Sequence, residues 1–155
     1  MKKVIIIGAS GGIAAKVISM LERRKDVQLT LLMRSVHRLR KPPISGTRVV
    51  EAMLETGVRR VILISSVGIY DTPLRSVLKP YRAAADVIET SGLDYTVLRP
   101  TWFTDVDEVD YEITHKGEPE KGSVISQKSL ASFIVEIIEN PEQYIGESLG
   151  INKPE

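Results

Sequence analysis

Apolar positions along this chain follow two different periods. Val4-Ile5-Ile6-Ile7 is a continuous β-branched run, as expected of a strand buried on both faces. Beyond Gly8 the spacing becomes helical, with Ile13, Val17, Ile18 and Leu21 on one face. Gln28 to Met33 then reads as a second strand. Strand, helix and strand in roughly thirty residues make a βαβ unit with a right-handed crossover.

The alternation continues downstream. Lys41-Pro42-Pro43-Ile44-Ser45-Gly46 is a loop by composition, followed by a helix that turns Val49, Val50, Met53 and Leu54 inward and stops at Gly57. Val61 to Ile64 is a buried strand ending at Ser65-Ser66. A loop from Tyr70 to Pro73 leads to a helix around Tyr81 to Ser91, closed by Gly92. Tyr95 to Leu98 forms the next strand and stops at Arg99-Pro100. Val109 to Thr114 is a candidate strand, and Lys116 to Gly122 a turn. Ser126 is the expected N-cap of a helix presenting Leu130, Phe133, Ile134, Ile137 and Ile138, ended by Asn140-Pro141. Glu147 to Asn152 supplies a last strand. No repeat or linker interrupts residues 1–155, so the pattern predicts one α/β domain.

The first βα turn, Gly8-Ala9-Ser10-Gly11-Gly12-Ile13-Ala14, carries chemistry through its backbone. Gly8 permits a sharp exit from the strand, and Gly11 lets a pyrophosphate approach the main chain without a Cβ in the way. The N–H groups and positive end of the following helix attract the phosphates. This is the Rossmann arrangement for a dinucleotide; the bland alternative is a βα turn that holds nothing. A carboxylate closing the second strand would select NAD through the ribose 2′-hydroxyl. Arg34-Ser35 stand there instead, with Arg38 and Arg40 behind, and Arg34 can pair with the 2′-phosphate of NADP. The expected cofactor is NADP, with NAD second; the other reading of Arg34 to Lys41 is a solvated basic loop.

Composition trims the remaining options. A hydrophobic fraction of 43% with 26% charged residues is that of a globular chain rather than a disordered one. The absence of cysteine removes disulfides, thiolate metal sites and a Cys nucleophile. A formal net charge of +1 gives no global attraction to nucleic acid or acidic membranes, and no apolar stretch is long enough to span a bilayer. The expected setting is cytoplasmic. His37 and His115 lack ligand spacing and read as solvated or structural. The acidic cluster Asp105, Asp107, Glu108, Asp110 and Glu112 reads as a solvated rim rather than a metal loop.

The glycine turn, Ser65-Ser66-Val67-Gly68-Ile69-Tyr70 and Ser91-Gly92-Leu93-Asp94-Tyr95-Thr96-Val97-Leu98-Arg99-Pro100 together resemble the atypical short-chain dehydrogenase/reductases. Within them the likeness is to bacterial NAD(P)H-binding, NmrA-like proteins. It extends through Asp107 to Tyr111 and the Ile145-Gly146-Glu147-Ser148 tail. The resemblance implies a doubly wound, mostly parallel sheet with NADP(H) over the strand ends. It places the phosphates at Gly8, Ser10, Gly11, Gly12 and Ile13 and the 2′-phosphate at Arg34. The nicotinamide would lie near Ser65, Ser66 and the segment from Pro100 through Trp102 to Phe103. The stretch from Trp102 to Ile125 would close the pocket.

Two departures from that family stand out. The Tyr-x-x-x-Lys pair of the classical enzymes is missing: four residues after Tyr81 stands Ala85, after Tyr95 Arg99, after Tyr111 His115. A proton for reduction must then come from Ser66, Tyr70, Lys79, Tyr81 or water, although Ser66 is equally read as satisfying backbone groups. Relatives also carry a further strand, helix and strand between Arg34 and the helix at Val49. The fold is therefore expected to be shortened there, and a true deletion would force Val61 to Ile64 to pair beside Val4 to Ile7. Two functions remain open. One is an NADP(H)-dependent oxidoreductase acting on a small-molecule substrate; the other is a non-catalytic NADP(H)-binding sensor working through a protein partner or a homodimer.

Overall fold

The computed structural model describes residues 1–32 and 46–155. In chain order these form β1 (Lys2–Ile7), α1 (Gly12–Leu21), β2 (Val27–Leu32), α2 (Gly46–Thr56) and β3 (Arg60–Ile64). They continue with α3 (Lys79–Glu89), β4 (Asp94–Pro100), β5 (Trp102–Thr104), β6 (Glu112–His115), β7 (Val124–Ser126), α4 (Gln127–Glu139) and β8 (Glu147–Asn152). Among the described residues no helix is long and apolar enough to cross a membrane.

The strands are parallel almost throughout. β1 and β2 pair in register from Lys2↔Val27 to Ile7↔Leu32. A second sheet runs β3-β4-β8-β6, with β6 alone antiparallel at its edge. β5 and β7 form a short parallel pair. Successive side chains of a strand point to opposite faces, and the helices divide accordingly. Ile62 and Leu98 pack with α1 and α4, whereas Val61, Leu63, Val97 and Tyr95 pack with residues of α2 and α3. This is the doubly wound α/β arrangement expected.

The larger core is built on the α1–α4 contact. Val17 and Leu21 of α1 meet Leu130, Ala131, Phe133, Ile134 and Ile137 of α4, with Leu98, Leu149 and Ile151 beneath. Phe133 is completed by two tyrosines, Tyr111 at 5.2 Å and Tyr144 at 5.5 Å between ring centroids. Ser126 caps α4 as predicted, accepting the Ser129 N–H at 3.0 Å. Gly57 and Gly92 take the left-handed conformation that ends a helix, with φ of +73° and +75°.

Several expectations need correction. The Val4–Ile7 strand is not buried on both faces, since Ile5 and Ile7 are exposed where no helix covers that face among the described residues, and Leu54, expected to turn inward on α2, is exposed. Val61–Ile64 does not pair with Val4–Ile7: among the described residues β1 bonds only β2, and β3 bonds only β4. Both sheets are seated on the same helix pair, through Ile6, Val27 and Leu29 on one side and Ile62 and Leu98 on the other. The candidate strand Val109–Thr114 lies further on, at Glu112–His115, because the ladder to β8 begins only at Glu112↔Asn152. β5 and β7 were not expected as strands; each has three residues, too few for a period to register.

Phe133→Ala should lower stability by roughly 3–5 kcal/mol, because a fully enclosed ring leaves a cavity its neighbours cannot fill; a denaturant midpoint measures it. Tyr111 donates to Glu136 Oε2 at 2.7 Å, and burial followed by that hydrogen bond pushes its phenol well above the usual tyrosine range. The unfolded chain ionises there near pH ~10. The contribution to stability is therefore full below that pH and is lost as pH rises toward the folded-state value. The melting temperature should fall steeply above about pH 10, and less steeply in Tyr111→Phe.

Candidate functional site

The glycine turn departs from the end of β1 with its backbone already tied down. Gly8 and Ala9 both donate to the Leu32 carbonyl, at 2.9 and 3.3 Å, so β2 holds the turn from beside it. Gly8 has φ +81°, a conformation that favours glycine. Gly11 donates to Gly8 O at 3.0 Å and serves as the N-cap of α1 without any side-chain cap. The first intrahelical bond comes from Ala15, donating to Gly11 O at 2.9 Å. The N–H groups of Gly12, Ile13 and Ala14 precede it and point out of the helix end. Ser10, Gly11 and Gly12 are exposed, Ile13 half-buried, and no acidic residue occupies the first turn of α1. Such a turn presents donors and a positive dipole end to an anion.

A second group of predicted residues gathers at the ends of β3 and β4. Ser65 donates its N–H to Leu98 O at 2.7 Å, and Val67 donates to Pro100 O at 3.1 Å. The Ser65 hydroxyl is buried and makes no hydrogen bond among the described residues. An orphaned buried hydroxyl costs about 1–3 kcal/mol, which a bound partner would recover. The Ser66 hydroxyl donates to Val67 O at 3.1 Å, the backbone-satisfying role. Pro100 is buried, yet two residues later the chain has emerged: Trp102 is 74% exposed, beside exposed Phe103, Val106 and Val109.

The two groups meet through α4. Trp102 pairs with Val124 in the β5–β7 ladder, which runs into Ser126 and Gln127. The Gln127 carboxamide rests against Gly12, its Oε1 2.8 Å from where a Cβ on that glycine would stand. Gln127 was invisible to sequence reasoning, since nothing local signals a contact 115 positions away along the chain. Arg34 and Ser35 lie outside the described residues.

Tyr70 sits in a polar network of its own. Its hydroxyl donates to Glu89 and lies 2.8 Å from the Ser148 hydroxyl, to which Arg99 Nε also donates at 3.1 Å. Lys116 Nζ stands 4.2 Å from the ring centroid, and the Arg82 and Arg99 guanidinium carbons stand at 5.2 and 5.3 Å. Burial first, then the Glu89 hydrogen bond, pushes the phenol above its ordinary pKa, while Ser148 pulls it back. Tyr70 is thus a protonated phenol engaged inside the protein. Tyr81 is exposed, on α3. Neither these residues nor Arg99, which pairs with Glu120, had a sequence signal for their partners. The acids of the 105–112 segment include two with lysine partners, Asp107 with Lys128 and Glu108 with Lys153; His115 faces Glu147.

The profile of an NAD(P)H-binding family matches residues 43–141. Among solved structures, a Rossmann-fold NAD(P)-binding family protein from Shigella flexneri is 37% identical, with TM-score 0.85 over 99% of this chain and 94% of that one. A short-chain dehydrogenase/reductase from Veillonella parvula, in complex with NADP, is 24% identical, with TM-score 0.85 over 99% and 95%. An oxidoreductase from Lactococcus lactis shares the fold at 15% identity, with TM-score 0.74 over 100% and 92%. No curated protein matches by sequence.

The open space around Gly8 isolates its conformational role. Among the described residues no atom lies within 4 Å of where a Cβ on this residue would stand, so Gly8→Ala meets no clash with them. Only the left-handed penalty is left, about 1–2 kcal/mol. The stability read from a denaturant titration should drop by that amount; an unchanged midpoint would mean that the turn relaxes to another conformation.

Proposed function

The chain belongs to an NAD(P)H-binding family, and from that premise we propose that it is an NADP(H)-dependent oxidoreductase of the atypical short-chain type. The observation that carries this reading is the glycine turn that opens α1, where the N–H groups of Gly12, Ile13 and Ala14 precede the first intrahelical bond at a helix end free of acidic residues. Gly11 would admit the diphosphate to the backbone, with Ser10, Gly12 and Ile13 beside it. Arg34, with Ser35, would read the 2′-phosphate, and on that ground NADP is preferred to NAD.

When bound, the nicotinamide supplies or accepts a hydride. The protein must orient it, exclude water and move one proton. The buried Ser65 hydroxyl, without a partner among the described residues, would suit a ligand atom at the end of β3. Pro100 and Trp102 would form the wall on the β4 side, and the exposed apolar surface from Trp102 to Val109 suits a small acceptor with apolar parts. Reduction of a carbonyl would place the hydride on carbon and a proton on oxygen, the proton coming from Ser66, Tyr70, Tyr81 or water.

One observation favours a second reading, an NADP(H)-binding sensor without turnover. Two of the candidate proton donors are engaged internally, Tyr70 with Glu89 and Ser148 and Ser66 with Val67 O. A sensor would have to bind a partner differently in its oxidised and reduced forms.

Calorimetric titration should show NADPH binding more tightly than NADH, with the preference lost in Arg34→Ala by a factor of roughly ten or more. Absence of NADPH binding would overturn the reading. With binding established, NADPH oxidation by any member of a carbonyl and quinone panel supports the enzyme. Complete inactivity, together with unequal partner affinities for the two cofactor forms, supports the sensor.

A further inference from the structure

Gly12 is a glycine that its backbone does not require. It opens α1 and is not among the glycines with positive φ. Glycine at a helical position carries an entropic cost relative to alanine. What a Cβ at this position would meet is the Gln127 carboxamide, with Oε1, Cδ and Nε2 at 2.8, 3.6 and 3.8 Å from it. A carbon at 2.8 Å from an oxygen is closer than real Cβ atoms stand, so a side chain at position 12 would displace the carboxamide from where it rests.

The carboxamide is brought there by the fold. Gln127 is the first residue of α4, whose start is pinned by Ser126 through Ser129, and α4 packs along α1. Gln127 is half-buried, and its side chain makes no hydrogen bond among the described residues. A carboxamide has two donors and an acceptor to satisfy. The neighbouring donors are the outward N–H groups of Gly12 and Ile13, so any anion drawn to them comes within reach of the same amide.

Resting on the proposed cofactor site, we infer that Gln127 is a cofactor-contacting residue that flanks the glycine turn from α4 and donates its side-chain N–H to the diphosphate. Gly12 is the space that lets it approach. The neutral amide suits this position: it adds a donor beside the phosphates without requiring a counter-charge of its own.

Titration of the full chain with NADPH tests this, comparing wild type with Gln127→Ala, Gln127→Glu, Gly12→Ala and the Gly12→Ala/Gln127→Ala pair. Gln127→Ala should weaken binding roughly tenfold, as for one hydrogen bond to a charged group. Gln127→Glu should weaken it further, with the excess loss shrinking as salt is raised, because it sets a carboxylate against the phosphates. Gly12→Ala should weaken binding in wild type but add little once Gln127 is alanine. The melting temperatures of the ligand-free Gln127 variants should match wild type. Wild-type affinity in both Gln127 variants would overturn the inference alone. So would a loss in Gln127→Glu that ignores salt, or one that follows a lowered melting temperature. A wild-type chain that binds no NADPH would overturn the cofactor reading and this inference together.

Discussion

The packing of α1 against α4 is the contact on which the rest of the structure depends. Among the described residues no backbone ladder joins β1–β2 to β3-β4-β8-β6, so the two sheets are held together through side chains, chiefly those beneath that helix pair. Leu21, Leu130, Phe133 and Ile137 are fully buried where the two meet. Polar contacts fasten the same seam from its far end. Lys2 Nζ donates to the carbonyls of Ile138 and Glu139 at the end of α4, and Arg24, just past α1, pairs with Glu139. A cation at a helix C-terminus also meets the negative end of the dipole.

That dependence explains where the apolar surface is left uncovered. Ile5 and Ile7 point to the face of β1 opposite Ile6, and α2 and α3 cover β3 and β4 rather than β1. Ile64, at the end of β3, is likewise exposed, and so is Leu32 beside Ile7. In a doubly wound sheet such side chains are ordinarily covered by helices on both faces. Among the described residues only one face of β1–β2 has a helix.

The same helix pair positions the residues of the proposed cofactor site. α1 aims its N–H groups outward from the glycine turn, and α4 begins beside it with Gln127 against Gly12. The β5–β7 ladder then connects that corner to Trp102 and the end of β4, where Ser65 waits with its buried hydroxyl. Tyr70 belongs to a different compartment, held by Glu89 and Ser148 among three cations. Burial raises its phenol's pKa, which suits a structural hydrogen bond and makes it a weaker proton donor.

What the sequence by itself determined is whatever local spacing controls. The β-branched run before Gly8, the helical period after it, the Ser126 cap and the closing glycines at 57 and 92 are each written within a few residues. Backbone geometry and side-chain periodicity act over that range, so these elements and the glycine turn could be read directly. The tertiary structure alone decided which strands pair, how Tyr70 is engaged, that the buried Ser65 and Thr114 hydroxyls lack partners among the described residues, and that Gln127 faces Gly12. These follow from contacts between residues remote in sequence. They were settled by how the side chains of α1 and α4 fill the space between two sheets, which no local pattern encodes.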